Sequence, residues 1–226
     1  MLKNILNKLK KRKYKIKKRI KKRFVDHYFR KIIPIHSHFL YYLNMIKEVP
    51  GAIVEAGVRS GNSIIAITSL AKSIGIDRNI IAIDSFEGFP IEEINKYKKK
   101  YNIHLNKQSK DSMEIIKDNF NKSNLSIENV FFLKGYFEDT LPKYNYGSIA
   151  FLHIDVDLGK SYKTVLECLY KYVSKEGIVL FDEYDDPVDL EKWPDAKIEI
   201  DDFLKDKKFE EVRSSFTNKY VIKKID

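Results

Sequence analysis

Short apolar runs alternate with helix-length amphipathic segments along most of this 226-residue chain, and this alternation restricts the fold more than any other feature. The runs have the length of strands and read GAIVEAGV, NIIAIDSF, NVFFLKGYF, SIAFLHIDVD and GIVLFDEY. The segments between them, such as SGNSIIAITSLAKSIG and SYKTVLECLYKYV, have helical spacing of apolar residues. Strands that alternate with helices indicate a parallel sheet covered on both faces. The sequence therefore predicts a doubly wound α/β fold.

The C-terminal segment breaks this alternation. KFEEVRSSFTNKYVIKK reads as two strands around a turn, and strands joined by so short a connection pair antiparallel. We therefore predict a mostly parallel sheet that finishes with an antiparallel hairpin. The chain is 43% hydrophobic and long enough for one well-cored domain, which we place at residues 26–226.

A basic extension at residues 1–25 precedes this domain. It contains thirteen Lys or Arg and no acid, so the rest of the chain has a net charge of −3 within a total of +10. Apolar residues recur among the lysines at roughly helical spacing, namely Leu2, Ile5, Leu6, Leu9, Ile16, Ile20 and Phe24. Such a cationic helix with an apolar stripe is typical of a segment that lies on an anionic membrane surface. A nucleic-acid-binding arm and a solvated extension without a role are the alternatives, and we favour the membrane for residues 1–24 because phosphate binding does not need the stripe.

The composition indicates the compartment. Cys168 is the single cysteine, which excludes a disulfide scaffold and fits a reducing environment. The sequence has no run of about 18 apolar residues that would span a membrane and no apolar region of a secretory signal. We therefore expect a cytoplasmic protein, with peripheral attachment to the inner membrane face through the extension. The sequence leaves the oligomeric state open, including a homo-oligomer.

A glycine-containing turn follows the first apolar run, where VEAGVRSGNS places Gly57 and Gly61 between a strand and a helix. Glycine permits close approach of a ligand to the backbone, although many strand-to-helix turns contain glycine without a ligand. Asp84 ends the next run, at the place where an acid accepts hydrogen bonds from ribose hydroxyls in nucleotide sites. Glu55 is a carboxylate inside an apolar run and needs a partner. Because the GxGxxG pattern of dinucleotide sites is absent, a ligand with a ribose, a positive charge and no phosphate fits best, and S-adenosylmethionine is such a ligand.

Two groups of acids flank the segment between the fourth and fifth runs. Asp157 ends the fourth run, and the chain returns through a helix-length spacer to Asp182 and Glu183 at the end of the fifth. Carboxylates that converge there without Lys or Arg repel one another, and a divalent cation relieves the repulsion; hard oxygen ligands suit Mg²⁺ or Ca²⁺. We predict Asp157, Asp182 and Glu183 as metal ligands, against the alternative that these acids cap strands and face solvent. Asp155 is expected to have a supporting role.

Two histidines are candidates for acid–base chemistry. His153 lies farther inside its strand than Asp157, so a buried histidine satisfied by a neighbour is the preferred interpretation. His104 lies in the polar segment after the second run and can reach the ligand if this segment, at about residues 91–110, folds over the strand ends. A loop histidine without a role is the alternative.

The chain resembles the macrocin/mycinamicin type of O-methyltransferase, a metal- and S-adenosylmethionine-dependent family that acts largely on sugars. The matching segments occur in the order of the family between about Pro50 and Phe203, and read VPGAIVEAGVRSGNSI, IDSFEGFP, FLKGYFEDTLP, HIDVDLGKSYKTVLECLY, GIVLFDEYDD and KWPDAK. The resemblance implies a Rossmann-like class I methyltransferase sheet. Three positions depart from the family pattern: Glu183 replaces a common Asp, Gly159 replaces a Tyr, and Asp195 replaces a Gly.

The resemblance also implies roles for individual residues. The metal ligands would be Asp157, Asp182 and Glu183, and Asp84 would bind the ribose. The predicted cofactor-binding set comprises Glu55, Ala56, Gly57, Gly61, Ser63, Asp84, Ser85, Gly135, Tyr136, Phe137 and Asp155. Asp157 or His104 would take the proton of the acceptor hydroxyl.

We therefore expect an O-methyltransferase that uses S-adenosylmethionine and Mg²⁺, or another divalent cation, to methylate a sugar hydroxyl. The acceptor would be a nucleotide sugar, a surface glycan or a glycosylated natural product. An RNA methyltransferase with the extension as its binding arm is less favoured, because the residues after the extension are net negative. A non-catalytic protein that retains the fold is the other alternative.

Overall fold

The computed structural model describes residues 33–105 and 112–226, together with Lys15 and Lys18. The predicted extension therefore lies outside the described residues except for Lys15 and Lys18, which are helical and exposed. None of the helices in the described ranges combines the length and apolar character needed to cross a membrane.

A seven-stranded sheet lies at the centre of the described residues. In chain order its strands are β1 (Ala52–Ala56), β2 (Ile80–Asp84), β3 (Val130–Lys134), β4 (Ile149–Ile154), β5 (Val173–Phe181), β6 (Phe209–Glu211) and β7 (Tyr220–Lys224). Their spatial order is β3-β2-β1-β4-β5-β7-β6. The pairs among β1 to β5 are parallel, whereas β7 is antiparallel to both β5 and β6. The predicted sheet with its C-terminal antiparallel hairpin is thus confirmed.

Helices cover both faces of this sheet. They are α1 (Ile33–Met45), α2 (Asn62–Ser73), α3 (Ile91–Tyr101), α4 (Ser112–Lys122), α5 (Phe137–Thr140), α6 (Gly159–Leu169), α7 (Pro187–Lys192) and α8 (Ala196–Leu204). Short 3₁₀ turns follow at Leu141–Lys143 and Tyr170–Tyr172. The apolar runs became β1 to β5, but the sequence did not predict α5, α7 and α8, and the third run ends earlier than predicted because Phe137 begins α5.

The alternation of side chains along each strand divides the core into two layers. In β1, Val54 packs in the layer that includes Val165 of α6 and Ile200 of α8. Ile53, its neighbour in the chain, packs in the opposite layer with residues of α1, α2 and α4, such as Phe39. Because successive side chains of a strand point to opposite faces, these two layers confirm the doubly wound arrangement.

The order of strands also determines where a ligand can bind. β1 lies between β2 and β4, so the chain connections diverge on either side of the β1–β4 pair. In open α/β sheets this divergence leaves a crevice outside the C-terminal ends of the strands. The loops after β1, β2, β4 and β5 meet at this edge.

Candidate active site

A cavity of about 300 Å³ lies at this edge of the sheet. Its walls come from the loops after β1, β2, β3 and β4, from the segment around α3 and from the end of α7. The lining residues that are discussed below are Gly57, Arg59, Asp84, Ser85, Phe89, Glu93, His104, Tyr136, Phe137, Asp155, Asp157, Lys192 and Trp193. A volume of this size is at the lower end of those that hold small-molecule ligands.

The glycine turn after β1 is held in place by Asp84. The Asp84 Oδ2 atom accepts hydrogen bonds from the backbone N–H of Val58 at 2.8 Å and of Arg59 at 2.9 Å. Its Oδ1 atom accepts from the N–H of Phe86 at 2.7 Å. The Ser85 hydroxyl lies 3.4 Å from the same Oδ1 atom but only 3.0 Å from the carbonyl oxygen of Gly88, and its one proton can serve only one of them. A carboxylate has about four acceptor positions, so Asp84 orders two loops and, with the Ser85 proton on Gly88, retains capacity for one further donor.

Gly57 is required by both its conformation and its surroundings. Its φ is +85°, and a Cβ at this position would lie 1.8 Å from the backbone oxygen of Asp155. The loops after β1 and β4 therefore meet backbone to backbone at Gly57, on the wall of the cavity.

The residues predicted to bind the cofactor divide into two groups. Gly57, Asp84, Ser85, Tyr136, Phe137 and Asp155 line the cavity. Glu55, Ala56, Gly61, Ser63 and Gly135 are not among its lining residues. Gly61 packs against α4 instead, since a Cβ there would lie 2.7 Å from the side chain of Ile116.

Glu55 has a partner within the protein. Its Oε1 atom lies 2.9 Å from Nδ1 of His153, and both side chains are buried. Burial disfavours the charged imidazole, but the hydrogen bond and the charge of Glu55 outweigh it, so the pKa of His153 is raised. His153 is thus a buried histidine with a neighbour as partner, as predicted, but only its Nδ1 atom is satisfied, since its Nε2 atom has no hydrogen-bond partner among the described residues. The Oε2 atom of Glu55 has no hydrogen-bond partner among the described residues.

Three carboxylates converge beside the cavity. Asp155, Asp157 and Glu183 offer oxygen atoms that all lie within 4.8 Å of one another. The loop is bent into position at Asp157, whose φ of +62° lies in the left-handed region and whose N–H donates to Glu183 Oε2 at 3.2 Å. We call Asp155, Asp157 and Glu183 the acid cluster.

The acid cluster is electrostatically strained. Burial, with repulsion from Asp182, raises the pKa of Asp155 to about 8. Burial also raises the pKa of Asp157 to about 7, although the charges of Lys192 and Arg59 oppose the shift. Burial and the neighbouring Asp155 raise the pKa of Glu183 well above its ordinary value. Each carboxylate thus lacks a full counter-charge from the described residues.

Asp182 does not join the acid cluster in the predicted way. It groups with His153 and Asp155, again within 4.8 Å, and its Oδ2 atom accepts from Nζ of Lys219 at 2.8 Å. The expectation that no Lys or Arg accompanies these acids was therefore wrong. Lys219 also contacts Asp189 at 3.3 Å, and these charges, with Glu183, raise its pKa despite its burial.

Tyr162 and Lys219 are the residues of the site that the sequence analysis missed. The hydroxyl of Tyr162 donates to Glu183 Oε2 at 2.6 Å. Tyr162 lies in the first turn of α6, and the side chains of a helix lean towards its N-terminus, here towards the end of β4. Its place shortly after Asp157 in the sequence could therefore have indicated a contact with the acids. Lys219 is 37 residues beyond Asp182 in the chain, and no local pattern indicated that contact.

The acid cluster has the donor chemistry of a divalent-cation site, because converging, incompletely neutralised carboxylates are hard oxygen ligands. The cavity also fits an adenosyl cofactor: the spare acceptor capacity of Asp84, the exposed backbone at Gly57 and the aromatic rings of Tyr136 and Phe137 surround one space.

The fold and this site define a Rossmann-like α/β domain of the class I methyltransferase type. The solved structure of the O-methyltransferase NovP has the same fold, with a TM-score of 0.69, 24% sequence identity and coverage of 86% of this chain and 81% of that chain. Residues 42–218 match the family described as Macrocin-O-methyltransferase. The chain belongs to this family, as its sequence motifs indicated.

Two curated relatives give the range of similarity. Demethyldecarbamoylnovobiocin O-methyltransferase of Streptomyces niveus is 34% identical over 141 residues, which are 61% of this chain and 54% of that protein. Mycinamicin III 3''-O-methyltransferase of Micromonospora griseorubida is 30% identical over 142 residues, 60% of this chain and 56% of that protein. The chain thus spans about half the length of the curated relatives it matches.

Proposed function

We propose that this protein is an S-adenosylmethionine-dependent O-methyltransferase that methylates a hydroxyl of a sugar with the help of a divalent cation. One observation carries the proposal: a single cavity is lined both by the glycine turn with Asp84 and by Asp155 and Asp157 of the acid cluster. A methyl donor held at the first and an acceptor hydroxyl held at the second would share this cavity.

The cofactor half of the cavity consists of Gly57, Asp84, Ser85, Tyr136 and Phe137. Asp84 would accept a hydrogen bond from a ribose hydroxyl while its bonds to Val58 and Arg59 keep the turn rigid. The two aromatic rings provide an apolar wall for an adenine. Adenosylmethionine, when bound, supplies an electrophilic methyl group. Glu55 would act from outside the cavity, through its unpaired Oε2 atom beneath the turn.

The acid cluster would hold the cation, with Asp182 beside it. A divalent cation, when bound, lowers the pKa of a coordinated sugar hydroxyl. Tyr162 fixes the carboxylate of Glu183 in one orientation, and the bent loop fixes Asp157. These contacts orient the oxygen ligands before binding, which is the arrangement that makes positioning effective in catalysis.

The proton of the acceptor hydroxyl needs a base. Asp157 and His104 both line the cavity, and they remain the two candidates that the sequence indicated. His104 is exposed in the segment that follows α3, whereas Asp157 belongs to the acid cluster. The location of Asp157 favours it for a hydroxyl near the cation.

The extension at residues 1–24 would hold the protein on an anionic membrane surface, where sugars are assembled on lipid carriers. The charge of the extension and its apolar stripe support this placement. Two exposed apolar residues of α1, Ile33 and Ile35, follow the extension in the chain and would add to its apolar contact.

A methyl-transfer assay tests the proposed function. The protein would be incubated with S-adenosylmethionine labelled in its methyl group and a panel of nucleotide sugars and glycans. We expect transfer to at least one sugar and none to RNA. Transfer to RNA alone, or absence of S-adenosylhomocysteine binding in calorimetry, would contradict the proposal.

A further inference from the structure

Gly159, the first residue of α6, occupies a crowded position. A Cβ there would lie 2.8 Å from Cγ of Asp195 and 2.8 Å from the backbone oxygen of Asp195. Gly159 is not among the residues with positive φ, so space and not backbone conformation requires glycine. Gly159 and Asp195 are two of the positions at which the chain departs from the family pattern, and they are in contact with each other.

Asp195 connects α6 to α3. The N–H of Gly159 donates to Asp195 Oδ1 at 3.2 Å, and the hydroxyl of Tyr97, on α3, donates to the same oxygen. Tyr97 is fully buried. Burial and the hydrogen bond to Asp195 raise the pKa of the Tyr97 phenol, so it remains a proton donor at all physiological pH values.

Tyr97 also packs against Trp193, which lines the cavity. The ring centroid of Trp193 lies 5.9 Å from that of Tyr97 and 5.8 Å from that of Phe89. Trp193 and Phe89 line the cavity, as does Glu93 of α3. Tyr97 and Asp195 therefore join three parts of the wall: α3, the start of α6 and the turn that contains Trp193.

We propose that Tyr97 and Asp195 form a latch that holds α3 against the Trp193 turn and so fixes the acceptor half of the cavity. Both are positioning residues for the methyl acceptor, since neither lines the cavity. This assignment rests on the proposed function. We assign the latch to the acceptor half because the cofactor half is formed by other residues, namely Gly57, Asp84 and the loop after β3. A sugar presents hydroxyls in several directions, and a fixed wall selects the one that meets the methyl group.

Amide hydrogen exchange tests the latch directly. In Tyr97→Phe and in Asp195→Ala, loss of this buried hydrogen bond should make exchange of residues 91–101 about tenfold faster. Asp195→Asn keeps an oxygen that accepts from Tyr97 and should retain most of the protection. Tyr172→Phe is the matched control, because it removes another phenolic hydroxyl that lies outside the cavity. That hydroxyl contacts the backbone oxygen of Tyr144 at 3.4 Å. Exchange of β4 should not change in any of these variants.

Two results would overturn the latch. Unchanged exchange of residues 91–101 in Tyr97→Phe would show that the contact holds nothing, and equal acceleration in α3 and β4 would show a general loss of stability. Calorimetry with S-adenosylhomocysteine distinguishes an effect on the cofactor half of the cavity from one on the acceptor half. Tyr97→Phe should bind this ligand with the affinity of the wild type, and a lower affinity would contradict the acceptor assignment. A wild-type protein that fails to bind it refutes the proposed function, while the exchange result still decides the latch.

Discussion

At the scale of single residues, Lys219 decides the charge balance of the site. Its Nζ atom contacts Asp182 and Asp189 at 2.8 Å and 3.3 Å, beside an acid cluster that has no such partner among the described residues. Lys219 thus neutralises one edge of the acids and leaves Asp155, Asp157 and Glu183 without such a contact, which is the basis of the proposed cation site.

Replacement of Lys219 should destabilise the protein in a cation-dependent manner. We expect Lys219→Met to lower the free energy of unfolding by about 2 kcal/mol, because removal of one partner leaves an unpaired, partly buried carboxylate. Mg²⁺ should restore part of this loss by supplying positive charge nearby. The measurement is thermal unfolding with Mg²⁺ and with chelator.

Lys223→Met is the matched control, because Lys223 contacts the exposed acids Glu176 and Glu210. It should change the unfolding temperature little and independently of Mg²⁺. Equal effects of the two substitutions would show that the acid cluster does not depend on Lys219.

His38, a buried side chain outside the acid cluster, gives the protein a further pH dependence. Burial, with the charges of His153 and Lys219, lowers its pKa to about 4, and Asp182 opposes the shift only weakly. The ordinary value is 6.5, so the unfolded chain binds a proton at higher pH than the folded chain. Stability is therefore fully present above pH 6.5 and is lost as the pH falls towards 4, by up to about 3 kcal/mol.

Urea unfolding of the wild type and of His38→Gln between pH 7 and pH 4 measures the contribution of His38 to the free energy of unfolding. Glutamine can keep a hydrogen bond to Ser214 or Thr217, which contact Nδ1 of His38 at 3.0 Å and 2.7 Å. The difference in stability between the two proteins should shift in favour of His38→Gln as the pH falls. A constant difference across this range would contradict the assignment.

At the scale of elements, the sequence predicted β1 to β5 because each is an apolar run bounded by turn residues. It did not predict α8, although Ala196, Ile200 and Leu204 are buried at helical spacing. The apolar signal of α8 is short, and the preceding segment at residues 187–195 contains two prolines, which are typical of a loop. α7 begins in that segment at Pro187, with Asp186 as its N-cap.

The sequence predicted only those features of the site that follow from the order of the strands and helices. The βαβ connection that brings Asp157 to the edge shared with Glu183 follows from the order of elements. The sequence predicted that the buried Glu55 needs a partner, but it indicated a ligand and not His153, which contacts Glu55 in the structure. The pairing of Asp182 with Lys219 depends on where β7 begins, because its first residue, Tyr220, pairs with Phe181 of β5. The contact of Tyr97 with Asp195 depends on how α3 folds over the edge, and neither packing leaves a periodic pattern in the sequence.

The extension is an element whose role a deletion can test. Removal of residues 1–24 should abolish binding to vesicles that contain anionic lipid, since each basic residue near such a surface contributes about 1 kcal/mol. Cosedimentation with anionic and with zwitterionic vesicles is the measurement, and only the full chain with anionic vesicles should sediment. Binding that persists after the deletion, or salt-sensitive binding of the full chain to RNA alone, would contradict the membrane placement.

At the scale of the whole molecule, the parallel sheet brings residues from distant parts of the chain to one edge. Gly57 and Asp84 come from its first half and the acid cluster from its second, and the cavity between them is where the two halves of the chain meet. The proposed reaction uses both halves at once: one orients the methyl donor, and the other holds the acceptor hydroxyl. The proposed role of the extension is separate from this reaction and concerns only placement on a membrane surface.

The proposed division of the cavity into a half for the methyl donor and a half for the acceptor is tested most directly by the rate of methyl transfer. This rate is measured with and without Mg²⁺ in the wild type and in Asp157→Asn. Asparagine tolerates the left-handed conformation of residue 157, so the variant should fold, and Asp206→Asn, at an exposed position, is the matched control. We predict that wild type and Asp206→Asn transfer labelled methyl groups to the sugar identified in the panel, that chelator abolishes this transfer and Mg²⁺ restores it. Asp157→Asn should be slower by about a hundredfold or more at saturating Mg²⁺. Transfer that is insensitive to chelator, or equal rates in Asp157→Asn and Asp206→Asn, would contradict the account.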